Sequence, residues 1–177
     1  MHIIIDGYNL IRQSDILRRY ERISLKEGRN ALIRGISLYK KQRGHKVTVV
    51  FDGWQGGPFE EERDKLSGID IIYSRKGEKA DEVIKRMVQE RAEEIVVVTS
   101  DRDIADFVSR RGGTAISSQE FDELMGRAKI AMTDHASHKE ERSGRENDAT
   151  MGRAKKKGPS RRLSRRKKSA MVKIKKL

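Results

Sequence analysis

Three apolar runs of this 177-residue chain end on an aspartate: HIIID at Asp6, KVTVVFD at Asp52 and EIVVVTSD at Asp101. Asp81 and Asp103 fall where the next helices should begin, in their first turns. If the runs are parallel strands, all five carboxylates collect at one sheet edge, the edge where α/β proteins place ligands. Like charges about 4 Å apart repel by roughly 4 kcal/mol at intermediate dielectric. Such a group either takes up a proton or binds a cation. With oxygen ligands only, no cysteine in the chain and no histidine near these positions, the cation expected is Mg²⁺ or Mn²⁺. Mg²⁺ takes few carboxylates and keeps positions open for a phosphate oxygen, which suits metal-assisted phosphodiester hydrolysis. The plainer reading is that each Asp only caps a helix or starts a turn. Three strand ends of the same kind at one edge weigh against it. Asp15, Asp64, Asp70 and Asp106 are read as surface or capping residues.

The elements that must position these acids follow from hydrophobic pattern. Residues 2–6, 46–52, 69–73 and 94–101 are short, β-branched and nearly continuous, as buried parallel strands are. A weaker strand, 114–118, follows Gly112-Gly113. The first helical pattern starts at Ser24, whose spacing to Glu27 is that of a capping box, and stops at Gly44; Leu25, Leu32, Ile36 and Tyr39 should line its inner face. Further helices are expected over 79–92, 102–111 and from after Ser118 to about 131. Strands alternating with helices predict an α/β fold with a mostly parallel sheet covered on both faces.

Charge divides the chain. Of its 40 basic residues, 13 lie in 151–177, which has no acidic residue, so 1–150 carries 27 of each sign and the whole net charge of +13 sits in the tail. The expected organisation is a domain over 1–130, a polar linker over 131–150 and a polybasic tail over 151–177. The tail, with Arg161, Arg162, Arg165, Arg166, Lys167 and Lys168, is expected to bind nucleic acid through phosphates; VKIKKL offers too little apolar area for a membrane role. No stretch is long and apolar enough to span a bilayer, and the N-terminus lacks the order of a secretory signal. A cysteine-free chain suits a reducing compartment. A cytoplasmic protein is expected.

Other constellations are weaker. There is no G-x-G-x-x-G after the first strand and no P-loop. His135 and His138 fall in a polar segment; His2 and His45 start strands, at the edge away from the acids. In the loop GWQGGPF (53–59), Trp54 and Phe59 are placed to stack on bases, and Arg75, Lys76 and Lys79 are placed to guide a phosphate backbone.

DGYN at the first strand, VVFDG at the second, KADEVI at the helix bearing Asp81 and VVTSDRD at the fourth strand occur together in an order that resembles the NYN domain, in its YacP-like branch of the PIN-like ribonucleases. The resemblance covers about residues 1–130. It implies a PIN-like fold and a metal-dependent endoribonuclease acting on single-stranded RNA, with ribosome-bound mRNA a possible substrate. It implies Asp6, Asp81 and Asp101 as metal-binding carboxylates, with Asp103 a fourth. It implies that Asn9 positions water or substrate and that Ser100 orients the site; Asp52 matches a motif with a less direct part. Two other classes are weighed. A phosphotransfer or phosphatase domain of the haloacid type would need D-x-D on the first strand, where this chain has D-G-Y. A degenerate, purely RNA-binding module is disfavoured by the intact acidic set.

Overall fold

A computed structural model describes residues 1–53, 59–90 and 94–127. Six strands form one sheet in the order β3-β4-β2-β1-β5-β6: β1 (His2–Asp6), β2 (Lys46–Phe51), β3 (Glu62–Leu66), β4 (Ile69–Tyr73), β5 (Ile95–Val98) and β6 (Thr114–Ile116). All neighbours pair in parallel except β3 and β4, which form an antiparallel hairpin at one edge. The helices are α1 (Gly7–Gln13), α2 (Asp15–Ile23), α3 (Leu25–Arg43), α4 (Ala80–Gln89) and α5 (Arg102–Arg110), with α6 running over 118–127.

Successive strand residues face opposite sides of a sheet, and each buried strand here feeds two cores. Ile3, Ile5, Val47, Val49, Val96 and Val98 pack under α1, α2, α3 and α6, whose Leu10, Leu17, Leu32 and Phe121 meet them. Ile4, Val50 and Val97 pack on the other face with Val83, Ile84, Ile104 and Val108 of α4 and α5. This two-sided burial is why the runs are continuous rather than alternating. The predicted α/β class and mostly parallel sheet are found.

Several boundaries move. β2 ends at Phe51 and β5 at Val98, so Asp52 and Asp101 stand just beyond their strands. β6 stops at Ile116, short of 118. The Ser24 hydroxyl accepts from the Glu27 N–H at 3.1 Å, and Gly44 closes α3 in the left-handed conformation. Leu32, Ile36 and Tyr39 are buried as expected, but Leu25 is half exposed, because the first residue of a helix lies beside its end rather than over the sheet.

Three elements lie outside the predicted pattern. α1 follows β1 with no linker, and α2 buries only Leu17. β3, ERDKL, is exposed at all five positions, so no apolar alternation marks it; its charges guard a sheet edge. The hairpin turn puts both Ser67 and Gly68 at positive φ, the signature of a two-residue primed turn.

Candidate active site

From β1 the chain moves to β2 and β4 on one side of the sheet and later returns to β5 on the other. The carboxyl ends of β1 and β5 therefore flank a topological switch, where an open sheet leaves a crevice. Asp6 and Asp101 stand at those two ends.

Asp6 caps α1: its Oδ1 accepts from the Asn9 N–H at 3.2 Å. Its Oδ2 lies 3.4 Å from the Thr99 hydroxyl. The side chain is buried, and its pKa is pushed up to about 6, chiefly by desolvation and also by the charges of Asp81 and Asp101; the Asn9 and Thr99 hydrogen bonds pull the other way. Gly7 must follow it, because a Cβ there would lie 2.4 Å from the Phe51 ring.

Asp101 caps α5, its Oδ1 accepting from the N–H groups of Asp103 and Ile104 at 2.7 and 3.2 Å. Its own N–H donates to Thr99 Oγ1, so Thr99 bridges the two acids. Asp81 arrives from the α4 start, where Lys79 provides no side-chain cap. Its pKa is raised by burial first and then by Asp101 and, more weakly, Asp52, against the opposing charges of Lys85 and Lys79. Asp6, Asp81 and Asp101 thus share one electrostatic environment, with Asp52 at its margin. Asp103 is exposed and is not among the main charges acting on Asp6 or Asp81. Among the described residues, no three acidic or histidine side chains converge closely enough to hold an ion as they stand.

Asn9 is held by its amide oxygen. Oδ1 accepts from the Ser100 N–H at 3.0 Å and from the Ser118 hydroxyl at 2.7 Å, while the Ser118 N–H donates to Ser100 Oγ. Both partners of Oδ1 are donors, which leaves the amide NH₂ as the group Asn9 can offer a ligand. Ser100 is thereby brought to Asn9 through its backbone. Thr99 and Ser118 escaped the sequence reading. The SSQE capping box at 117–120, with Glu120 N–H on Ser117 Oγ, marks the helix start that delivers Ser118.

The loop between β4 and α4 is built from within. Ser74 Oγ accepts from the Gly53 N–H and donates to the Glu78 carbonyl. A side chain at 53 would put Cβ 1.9 Å from the Ser74 carbonyl oxygen. The buried Glu78 carboxylate pairs with Arg86 at 2.6 Å and with Arg75 at 3.5 Å, and Arg86 also binds Glu61. Arg75, Lys76 and Lys79 are exposed around this frame, Lys76 standing 5.6 Å from the centroid of the exposed Phe59 ring. Trp54 and Arg161, Arg162, Arg165, Arg166, Lys167 and Lys168 lie outside the described residues. His2, buried, bonds Thr48 at the opposite end of the sheet. No described helix is long and apolar enough to cross a membrane.

A family model described as "YacP-like NYN domain" matches residues 3–176, a span that takes in the polar and basic segments beyond the described fold. The sequence is similar to "Uncharacterized protein YacP" of Bacillus subtilis (strain 168), 31% identical over 102 residues. That alignment covers 56% of this chain and 59% of the relative. Two crystal structures of Rae1 (YacP) from Bacillus subtilis share the fold. One, a variant with a single substitution, superposes with a TM-score of 0.67 at 23% identity, covering 81% of this chain and 86% of that one. The other gives 0.62 at 25% identity, covering 78% and 80%.

Proposed function

The chain belongs to the family of YacP-like NYN domains, nuclease-type domains of PIN-like fold, and from that premise we propose that it is a divalent-metal-dependent endoribonuclease acting on single-stranded RNA. The observation that carries this reading is Asp6: a buried carboxylate at the switch crevice whose pKa is held near 6 by desolvation and by two acidic neighbours, Asp81 and Asp101. A carboxylate so placed is relieved by a cation. The donors are all oxygens, which suits Mg²⁺ or Mn²⁺, ions of which the first usually keeps several of its waters.

In this reading Asp6, Asp81 and Asp101 hold the ion, with Asp103 an outer acid and Asp52 tuning Asp81. The bound ion would supply charge for the phosphate oxygens and acidify the attacking water. Asn9, locked through its oxygen, turns its NH₂ toward substrate or water; Ser100 and Ser118 keep it there. Arg75, Lys76 and Lys79 would steer the RNA backbone, Trp54 and Phe59 would stack on bases, and the 151–177 tail with Arg161, Arg162, Arg165, Arg166, Lys167 and Lys168 would add phosphate contacts. Ribosome-associated mRNA is the proposed cellular substrate, in the cytoplasm.

The test is incubation of the full chain with a single-stranded RNA and Mg²⁺ or Mn²⁺, followed by a chelator. Cleavage that appears with metal and stops with chelator is expected. RNA left intact under both ions would overturn the reading.

A further inference from the structure

Beside the acidic crevice, on the α3 side of the sheet, lies a cluster that the cation site does not use. Tyr8 follows Asp6 by two residues, Phe51 ends β2 and Tyr73 ends β4, so their rings form a row along the carboxyl edge of neighbouring strands. Tyr8 meets Phe51 edge-on at 5.2 Å, and Phe51 stacks with Tyr73 at 5.7 Å. Two guanidiniums address this row. Arg29 of α3 donates from Nη1 to the Tyr8 hydroxyl at 2.8 Å and lies 5.6 Å from the Tyr73 ring centroid. Arg12 of α1 lies 5.6 Å from the Tyr8 ring centroid.

Arg12 also approaches Glu21 at 3.7 Å and remains largely exposed. Arg29 is partly buried, and among the described residues its partners are a phenol and an aromatic face, with no carboxylate. A half-buried guanidinium with neutral partners keeps most of its five donors and its charge for an anion. The planar fork matches a phosphate, and the aromatic face behind it fixes the fork's plane. Because Tyr8 accepts from Arg29, its own hydroxyl proton remains to be donated.

We propose that Arg29, seated between Tyr8 and Tyr73, binds a phosphodiester of single-stranded RNA next to the one cleaved, with Arg12 as the outer contact. The proposal rests on the nuclease reading for its substrate class. It gives the strand a direction across the sheet edge: the reacting phosphate at Asp6, and its neighbour on the tyrosine row toward β4. A positive anchor there also offsets the repulsion between RNA and the acids.

The experiment measures binding of a short single-stranded oligoribonucleotide to the full chain in chelator, across a salt series, with unfolding midpoints for every variant. Arg29→Met should weaken binding about tenfold and make the log–log salt dependence shallower by about 0.7, one single-strand phosphate. Arg29→Lys should recover the slope through its charge but not the full affinity, since it lacks the fork. Folded Arg29→Met with unchanged affinity and slope would overturn the subsite. Should that variant unfold, exposed Arg12→Ala carries the test: a shallower slope supports the site, an unaltered one refutes it. Because no cleavage is needed, binding that depends on Arg29 in a protein that cuts no RNA would defeat the nuclease reading alone. Cleavage by wild type with binding indifferent to Arg29 and Arg12 would defeat this one alone.

Discussion

The β1–α1 and β5–α5 junctions can be laid side by side. In each a buried strand gives way to a helix capped by an aspartate, Asp6 on the Asn9 N–H and Asp101 on those of Asp103 and Ile104. The same Thr99 hydroxyl touches both, near one carboxylate and accepting from the N–H of the other. They differ in water. Asp6 sits at the central strand under α1, buried, with its proton held to about pH 6; Asp101 stands three residues past the end of β5 and is partly exposed. Capping a helix therefore does not remove a carboxylate from the crevice. One oxygen can satisfy a helix N-terminus while the carboxylate as a whole serves a crevice, and depth of burial decides how much electrostatic tension it stores.

The largest test of that pairing is activity. Asp6→Asn, Asp81→Asn and Asp101→Asn should each lower RNA cleavage on the order of a thousandfold or more, with far-UV circular dichroism unchanged, since Asn caps a helix about as well as Asp. A fully active Asp101→Asn enzyme would break the symmetry and leave that residue a cap only.

Stability should separate the two junctions. The folded pKa of Asp6, about 6, lies above its unfolded value of 3.8. A raised carboxylate pKa means that the folded state binds the proton more tightly. Its favourable contribution is thus complete below about pH 4 and lost as pH rises through 6. Without metal, Asp6→Asn should stabilise the protein at pH 7.5 by about 3 kcal/mol and flatten stability between pH 4 and 6. Asp101→Ala should instead destabilise by about 1 kcal/mol through the lost cap. Urea unfolding in chelator, at pH 4 and at pH 7.5, reads both effects. By the same linkage an ion held by Asp6 would have to displace its proton, so on the metal-dependent reading ion affinity should climb as pH rises through 6.

Much of this was legible beforehand, for a physical reason: Ile3–Ile5, Val47–Phe51 and Val96–Val98 are buried on both faces, so their runs are unbroken and the acids at their ends stand out. β3 was not legible, because an edge strand protects itself with charge; nor was α2, which buries one residue. The placement of Asn9 was invisible for another reason. Its oxygen is held by Ser100 and Ser118, the latter 109 residues away, and no local spacing encodes a contact made only when α6 docks. Burial of Asp6 against the partial exposure of Asp101 likewise depends on which strand becomes central.

Ser118 gives the next, smaller effect. Ser118→Ala removes one of the two donors holding Asn9 Oδ1 and should lower kcat about tenfold with KM little changed. Ser118→Thr, which keeps the hydroxyl, should restore most of it. Loss of activity matched by an equal loss of thermal stability would mark Ser118 as packing alone.

The smallest effect is expected at Asp103, and it sharpens the β5–α5 junction itself. Two carboxylates stand there, two residues apart, yet the helix turns them to different surroundings. The carboxylate of Asp101 is among the main charges acting on both Asp6 and Asp81; that of Asp103 is exposed and is not among the main ones on either. Asp103 reaches the site through its backbone, whose N–H donates to Asp101 Oδ1 at 2.7 Å, and a side-chain substitution leaves that bond intact. The interactions of an exposed charge are weakened by water and salt far more than those of a buried one. Asp103→Asn should therefore change cleavage by no more than about threefold, mostly through the lost favourable charge at the first turn of α5. Steady-state kinetics of this variant at several Mg²⁺ concentrations distinguishes the possibilities. Saturation by Mg²⁺ at the wild-type concentration keeps Asp103 outside the ion's shell. A marked rise in the Mg²⁺ required, with kcat recovered at high metal, would show that the first turn of α5 moves inward when the ion binds and that Asp103 joins the ligands.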